Sequence, residues 1–215
     1  MMDNIESITK YFTDLDDTQL KQLEMLGSLY PEWNERINVI SRKDIDNLYT
    51  NHILHSLAIA KFLGELNEGT SFMDLGTGGG FPGIPLAIYY PQCKFHLLDR
   101  IGKKLMVAQE IATAIGLRNI TFQHGDIKEC KGKYNYVVSR AVMPLNELYK
   151  LIVKNILPSS PDNTNRYANG LICLKGGDLS EESKGIKCTV VDYPVNEFIP
   201  EARFAEKCVV YIPFK

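Results

Sequence analysis

Acidic residues spaced against glycines carry the first chemical signal. In the stretch FMDLGTGGGFPGIPLAI, Phe72 to Ile88, Asp74 is followed by Gly76, Gly78 and Gly80 at alternate positions. Glycines let a backbone approach a ligand closely. A helix starting after them presents unpaired N–H groups. Three ligand classes compete for such a loop. A nucleoside triphosphate needs GxxxxGK[ST], and no lysine follows these glycines. A dinucleotide needs GxGxxG; Gly78, Gly80 and Gly83 fit, with Pro82 in the fifth place. S-adenosylmethionine carries an ammonium and a sulfonium. An acid before alternating glycines suits it and would repel a pyrophosphate. A purely structural turn is the remaining reading.

Two further acids follow strand-like runs. Asp99 ends KFHLLD, where a carboxylate accepts both hydroxyls of an adenosine ribose. That supports a nucleoside without choosing between the two cofactors. Asp126 lies in HGDIKEC, placed to meet an adenine amino group, with the backbone of Ile127 beside the ring. Asp126 reads equally well as a surface turn residue.

These positions require a scaffold. From Ser71 onward, short apolar runs alternate with helical stretches. SFMDL, KFHLLD, NITFQ, YNYVVSR and GLICLKG read as strands. GIPLAIYY, GKKLMVAQEIATAIG and PLNELYKLIVKNIL read as helices, the first entered at Pro82. That alternation predicts an α/β, doubly wound parallel sheet. KCTVVDYPV and EKCVVYIPF add two strands as an antiparallel pair at one edge. Residues 158–170 form a polar loop. The first 65 residues read as helical. Leu20, Leu23, Leu26, Tyr30, Trp33 and Ile37 recur at steps of three and four. Pro31 is expected to kink or restart that helix. Ser41 before Asp44 resembles a cap for a second helix that ends at Gly64. The expected division is 1–65, a helical region packed on the core, and 66–215, the α/β domain.

Composition narrows the partners. The chain has 24 Lys and Arg against 26 Asp and Glu, a net charge of −2. The total does not favour nucleic acid and does not forbid it, since local clusters matter more than the sum. Arg42 adjoins Lys43; Arg100 lies near Lys103 and Lys104; Lys128 lies near Lys131 and Lys133. Each also reads as a solvated face. The five cysteines are scattered without CxxC, against a disulfide framework or a structural zinc. Cys93 and His96 are three apart with no second ligand pair nearby, so no metal is expected. No apolar run approaches the roughly 20 residues of a membrane span. The start, MMDNIESITKYF, lacks a basic segment followed by an apolar one. A cytoplasmic protein without a membrane partner is expected.

Across nearly its whole length the chain resembles the bacterial 16S ribosomal RNA guanine-N7 methyltransferases of the RsmG type, also called glucose-inhibited division protein B. WNERINVIS, NHILHS, DLGTGGGFPGIPLAI, LLDRIGKK, VVSRAV and LKGG carry the resemblance, in that order. It differs at Asn51 and His55, where the family often has arginine and aspartate. The resemblance implies a seven-stranded, Rossmann-like class I methyltransferase sheet with an N-terminal helical extension. It implies methyl transfer from S-adenosylmethionine to N7 of a guanine in 16S ribosomal RNA near the decoding site, by a monomer acting on that RNA or the small subunit. Cofactor contacts are implied at Gly76, Phe81, Asp126, Ile127 and Arg140. Asp74, Gly78, Gly80 and Asp99 follow from the general fold. Arg42, Arg100, Lys103 and Lys175 are the candidate RNA contacts, Lys175 being exposed to solvent in the alternative.

The chemistry is consistent with this residue set. Guanine N7 has an in-plane lone pair and no proton, so its attack on a sulfonium methyl needs no general base. Positioning and charge support suffice. Arg140, after the fourth strand, is the candidate catalytic residue, binding cofactor or guanine and phosphate; an exposed ion-pair partner is the alternative. His52 and His55 read as packed polar residues. Two other function classes remain at this point: a dinucleotide-dependent oxidoreductase and a non-catalytic RNA-binding module.

Overall fold

The structure, a computed structural model, describes residues 3–158 and 164–214. Of the polar loop expected over 158–170, residues 159–163 lie outside that range. Five strands pair in parallel: β1 (Ser71–Leu75), β2 (Lys94–Asp99), β3 (Ile120–His124), β4 (Tyr136–Arg140) and β5 (Gly170–Gly176). Two more, β6 (Val191–Pro194) and β7 (Lys207–Pro213), complete one seven-stranded sheet in the order β3-β2-β1-β4-β5-β7-β6. β7 runs antiparallel to both β5 and β6, as expected for the final pair. Strand order reverses between β1 and β4. At such a switch point adjacent loops diverge and leave a crevice beyond the strand ends.

Alternation along β1 serves two cores. Phe72 packs on one face with the N-terminal helices, and Met73 and Leu75 on the other with α6 (Leu145–Ile152). The first face is covered by α4 (Gly83–Tyr89), α5 (Gly102–Ala114) and the N-terminal helices α1 (Glu6–Thr9), α2 (Asp17–Arg36) and α3 (His55–Leu63).

Helix α2 buries Leu23, Leu26, Tyr30 and Asn34. Asp16 and Gln19 form a reciprocal capping box at its start. Gln19 Nε2 then donates to the Ile88 and Tyr89 carbonyls ending α4, and Gln22 Nε2 to the Ile115 carbonyl after α5. These bonds and the apolar stripe dock α2 across the sheet helices. Pro31 sits inside this one continuous helix instead of restarting it. Anchors on either side hold it: Tyr30 donates to the Gly79 carbonyl, and the Asn34 carboxamide binds the backbone of Val39 and Ile40. Packing outweighs the local penalty of the proline.

The second expected helix is composite. A 3-10 turn (Ile45–Asn47) leads into a π-helical segment (Leu48–Leu54), and regular α-helix begins only at His55. Asp44 does not cap it; its carboxylate accepts from the Asn51 and His52 side chains. Gly64 ends α3 with φ +70°, as expected. All five cysteines are free. No helix among the described residues is long and apolar enough to cross a membrane.

Candidate functional site

The glycine loop lies at the switch point, directly after β1. Gly76, Gly78 and Gly80 have φ of +70°, +56° and +106°, the left-handed region that side chains disfavour. Asp74 ties this loop from beneath. Its Oδ2 accepts from Thr77 Oγ1 at 2.6 Å and from the Gly83 amide at 2.8 Å. The carboxyl is fully buried, and burial pushes its pKa up to about 7. Asp74 lines neither of the cavities described next. The side chain lies beneath the loop, and its ties to Thr77 and Gly83 shape that loop.

One cavity of ≈ 760 Å³ opens beyond the ends of β1, β2 and β3. Asp99, Asp126, Ile127, Gly76 and Gly78 line it, as the sequence placed them together. Asp99 Oδ2 accepts from the Gly78 amide and Oδ1 from the Ile101 amide, each at 2.7 Å. Its carboxylate is thus fixed in aim. Asp126 accepts from the Lys128 amide and faces Arg100 at 3.7 Å. Ile101, 52% exposed, and Val142 add apolar surface that the motifs did not predict. Arg100, Lys104 and Lys128 also line it. Two carboxylates beside this apolar surface suit a ribose and a base.

The second cavity, ≈ 710 Å³, lies on the other side of Gly76 and Gly78. Its character is different. Lys104, Arg140, Lys175, Arg203 and Lys207 line it against Asp44 as the sole carboxylate among the described lining residues. Arg140 lies deep in it. Its guanidinium donates to the Asn51 carbonyl at 3.2 Å and to His52 Nδ1 at 3.0 Å, and stands 5.0 Å from the Phe81 ring. No ion pair among the described residues includes Arg140. Burial lowers its pKa to about 10. A buried guanidinium with only neutral partners leaves a positive charge for an anion to complete.

His52 is the hinge of this arrangement. Arginine only donates, so His52 Nδ1 accepts, and its Nε2 carries the proton to Asp44 Oδ2 at 2.6 Å. Burial, then Arg140, lowers the His52 pKa, against the pull of Asp44. Phe81 packs between Tyr30, at 4.7 Å, and His52, at 5.3 Å. Arg203 donates to Thr50 Oγ1 and Asn51 Oδ1. His55 also lines the cavity; its Nε2 has no hydrogen-bond partner among the described residues, and burial pushes its pKa down to about 3.

The remaining expected RNA contacts scatter. Arg42 is exposed and lines neither cavity. Lys103 points away, and its neighbour Lys104 lines both cavities. One position of helical rotation makes that difference. Arg100 is 78% exposed at the rim of the first cavity. Lys175 reaches the basic cavity but is engaged within the chain, by the Met143 carbonyl and Glu182. Sequence reasoning missed Asp44, Lys104, Glu182, Arg203 and Lys207. Among the described residues, no group of three or more His, Cys, Asp or Glu side chains gathers as a metal site.

Known proteins share both fold and sequence with this chain. The magnesium protoporphyrin IX methyltransferase of Synechocystis PCC 6803, solved with bound SAM, superposes over 93% of this chain and 98% of its own, with a TM-score of 0.58 at 17% identity. A SAM-dependent methyltransferase from Aquifex aeolicus covers 73% of this chain and 88% of its own, with a TM-score of 0.51 at 17% identity. At such identities the likeness speaks for the fold: this is the α/β, Rossmann-like methyltransferase fold. Sequence similarity goes further. The ribosomal RNA small subunit methyltransferase G of Bacteroides thetaiotaomicron is 56% identical over 96% of this chain and 98% of its own. The proteins of that name from Cytophaga hutchinsonii and Christiangramia forsetii are 46% and 44% identical, over 97% and 98% of this chain and 99% and 98% of their own lengths. The model of the rRNA small subunit methyltransferase G family, GidB, matches residues 19–163. The chain therefore belongs to the rRNA small subunit methyltransferase G family.

Proposed function

We propose that this protein transfers a methyl group from S-adenosylmethionine to N7 of a guanine in 16S ribosomal RNA near the decoding site, acting as a monomer on the RNA or the small subunit. The observation that carries the reading is the pair of cavities meeting over Gly76 and Gly78: one holds Asp99 and Asp126 beside apolar groups and three cations, the other five cations against Asp44 alone. Family membership supplies the RNA substrate; the division of roles comes from the residues.

The cofactor fits the residues present. Asp99, held by the Gly78 and Ile101 amides, receives the ribose hydroxyls. Asp126 and the backbone of Ile127 receive the adenine. Gly76 and Gly78 keep the wall shared by the two cavities free of side chains, where the methionine would lie, and Gly80 lets the loop pack against Ile84 and Tyr30. Arg140, which makes no direct ion pair among the described residues and stands over the Phe81 ring, would hold the carboxylate of that methionine. When bound, S-adenosylmethionine supplies an electrophilic methyl on a sulfonium. The chain's own groups then orient and shield. Arg140 is fixed by His52 and Asn51 and supports charge deep in the cationic cavity. Lys104, Arg203 and Lys207 attract the RNA backbone, joined at the periphery by Arg42, Arg100 and Lys103. No residue is needed as a base. Residues 1–65 act as a helical region that supplies Asp44, Asn51, His52 and His55 to the cavity, and 66–215 carry the cofactor side.

Incubation with radiolabelled S-adenosylmethionine and small ribosomal subunits tests the reading. Label recovered in 16S ribosomal RNA supports it. Absence of transfer, together with tight binding of a nicotinamide dinucleotide, would return the oxidoreductase alternative.

A further inference from the structure

The segment joining β4 to α6, residues 141–144, forms the wall between the two cavities. Ala141 lines the basic cavity; Val142 and Met143 line the other. Val142 sits over Gly76 so closely that a Cβ on Gly76 would come within 2.5 Å of its Cγ2. Ala141 takes φ +54°, a conformation disfavoured for any residue but glycine. A backbone held there must be fixed by its surroundings.

Two charged side chains fix it. Lys175 Nζ, at the end of β5, donates to the Met143 carbonyl at 2.7 Å and to Glu182 Oε2 at 2.6 Å. The same Glu182 oxygen accepts from the Leu145 amide at 2.9 Å. One ion pair thus grips the backbone on both sides of Pro144. It is sheltered: the Lys175 side chain is 13% exposed and that of Glu182 34%. Sheltered, charge-assisted bonds hold geometry far better than exposed ones. Lys175, with all this, has its charge spent inside the chain.

We propose that Lys175 and Glu182 are positioning residues for methyl transfer: their ion pair pins segment 141–144 and so sets the partition across which cofactor and guanine face each other. The pair acts on the reaction through that backbone and touches neither reactant. The role rests on the function proposed above; the grip itself does not.

Lys175→Met and Glu182→Gln test it, the second keeping the shape and removing the charge. Three quantities are read: the single-turnover methylation rate at saturating small subunit, the subunit affinity with its salt dependence, and hydrogen exchange of the Leu145 amide. In Lys175→Met the rate falls by about tenfold to a hundredfold. Subunit affinity stays within about twofold, its salt slope is unchanged, and Leu145 exchanges faster. Glu182→Gln moves rate and exchange in the same direction, and the double variant is no slower than Lys175→Met. The proposal is overturned if Lys175→Met keeps the wild-type saturated rate while subunit affinity and salt slope fall, which makes Lys175 a phosphate contact. It is equally overturned if only the melting temperature falls. Should Lys175→Met not fold, an unchanged rate in Glu182→Gln overturns it. A wild-type protein that methylates no RNA sinks the functional reading alone; faster Leu145 exchange in the variants then still reads the grip.

Discussion

The two cavities that meet at Gly76 are built in different ways. The carboxylate-lined one takes its polar groups from the turns that directly follow β1, β2 and β3, each within a few residues of a strand end. The cationic one gathers Asp44 and His52 from before the sheet, Arg140 from its centre, and Arg203 and Lys207 from the approach to the last strand. A nucleoside is small and rigid, so strand-end turns can hold it, and they leave a contiguous motif. A segment of folded RNA is large and charged, so a site proposed for it draws on distant parts of the chain. The contrast predicts that substitutions divide cleanly by cavity.

Asp99→Ala should produce the largest effect. Losing charge-assisted bonds to two ribose hydroxyls costs about 3 kcal/mol, or roughly a hundredfold in S-adenosylmethionine affinity by calorimetry. Subunit affinity should not change; a parallel loss there would erase the contrast. Arg140→Ala, deep in the cationic cavity where the methionine carboxylate and the guanine are proposed to meet, should act on both cofactor and RNA. Removal of its charge-assisted bonds costs about 2 kcal/mol, a rate loss of about thirtyfold, with weaker cofactor binding. Intact cofactor affinity in that variant would move Arg140 wholly to the RNA side. Arg203→Ala with Lys207→Ala should weaken subunit binding by about fivefold at low salt and flatten its salt dependence, leaving calorimetry with cofactor unaltered.

Asp74→Asn should do least, because Asp74 lines neither cavity. Cofactor affinity should stay within about twofold, since an amide oxygen can accept from Thr77 and Gly83 as the carboxyl does. Stability is the informative readout. The folded state raises the pKa from 3.8 to about 7, so it binds the proton more tightly than the unfolded chain. That contribution is complete below the unfolded value and is lost as pH rises through about 7. Wild-type stability measured against Asp74→Asn should therefore decline between about pH 4 and pH 7. A flat difference would mean an ionised, better-solvated Asp74 and reopen direct contact with the cofactor.

The same contrast explains what could be read in the sequence. The strand-helix alternation, the edge pair β6–β7 and the residues Gly76, Asp99, Asp126 and Ile127 all follow from local patterns beside strand ends. Pro31 misled because a proline's local penalty says nothing about Tyr30 and Asn34 anchoring the helix around it. The place of Asp74 was not legible because alternation along β1 turns its side chain inward, beneath the loop that its sequence neighbours form. Lys104 was passed over for Lys103 since charge clusters do not specify which side of α5 faces a cavity. The Lys175–Glu182 pair and the Asp44–His52–Arg140 chain join residues with no local signature, so only the folded backbone brings them together.

The account's central claim is the site of modification, and one chemical mapping tests it directly. N7-methylguanosine carries a fixed positive charge, so borohydride reduction followed by aniline cleaves the RNA chain at that nucleotide. Small subunits from cells lacking the activity, treated with this protein and S-adenosylmethionine, should give one new cleavage in 16S ribosomal RNA, at a guanine near the decoding site. Methyl incorporation without that cleavage, or cleavage only elsewhere in the RNA, would contradict the account.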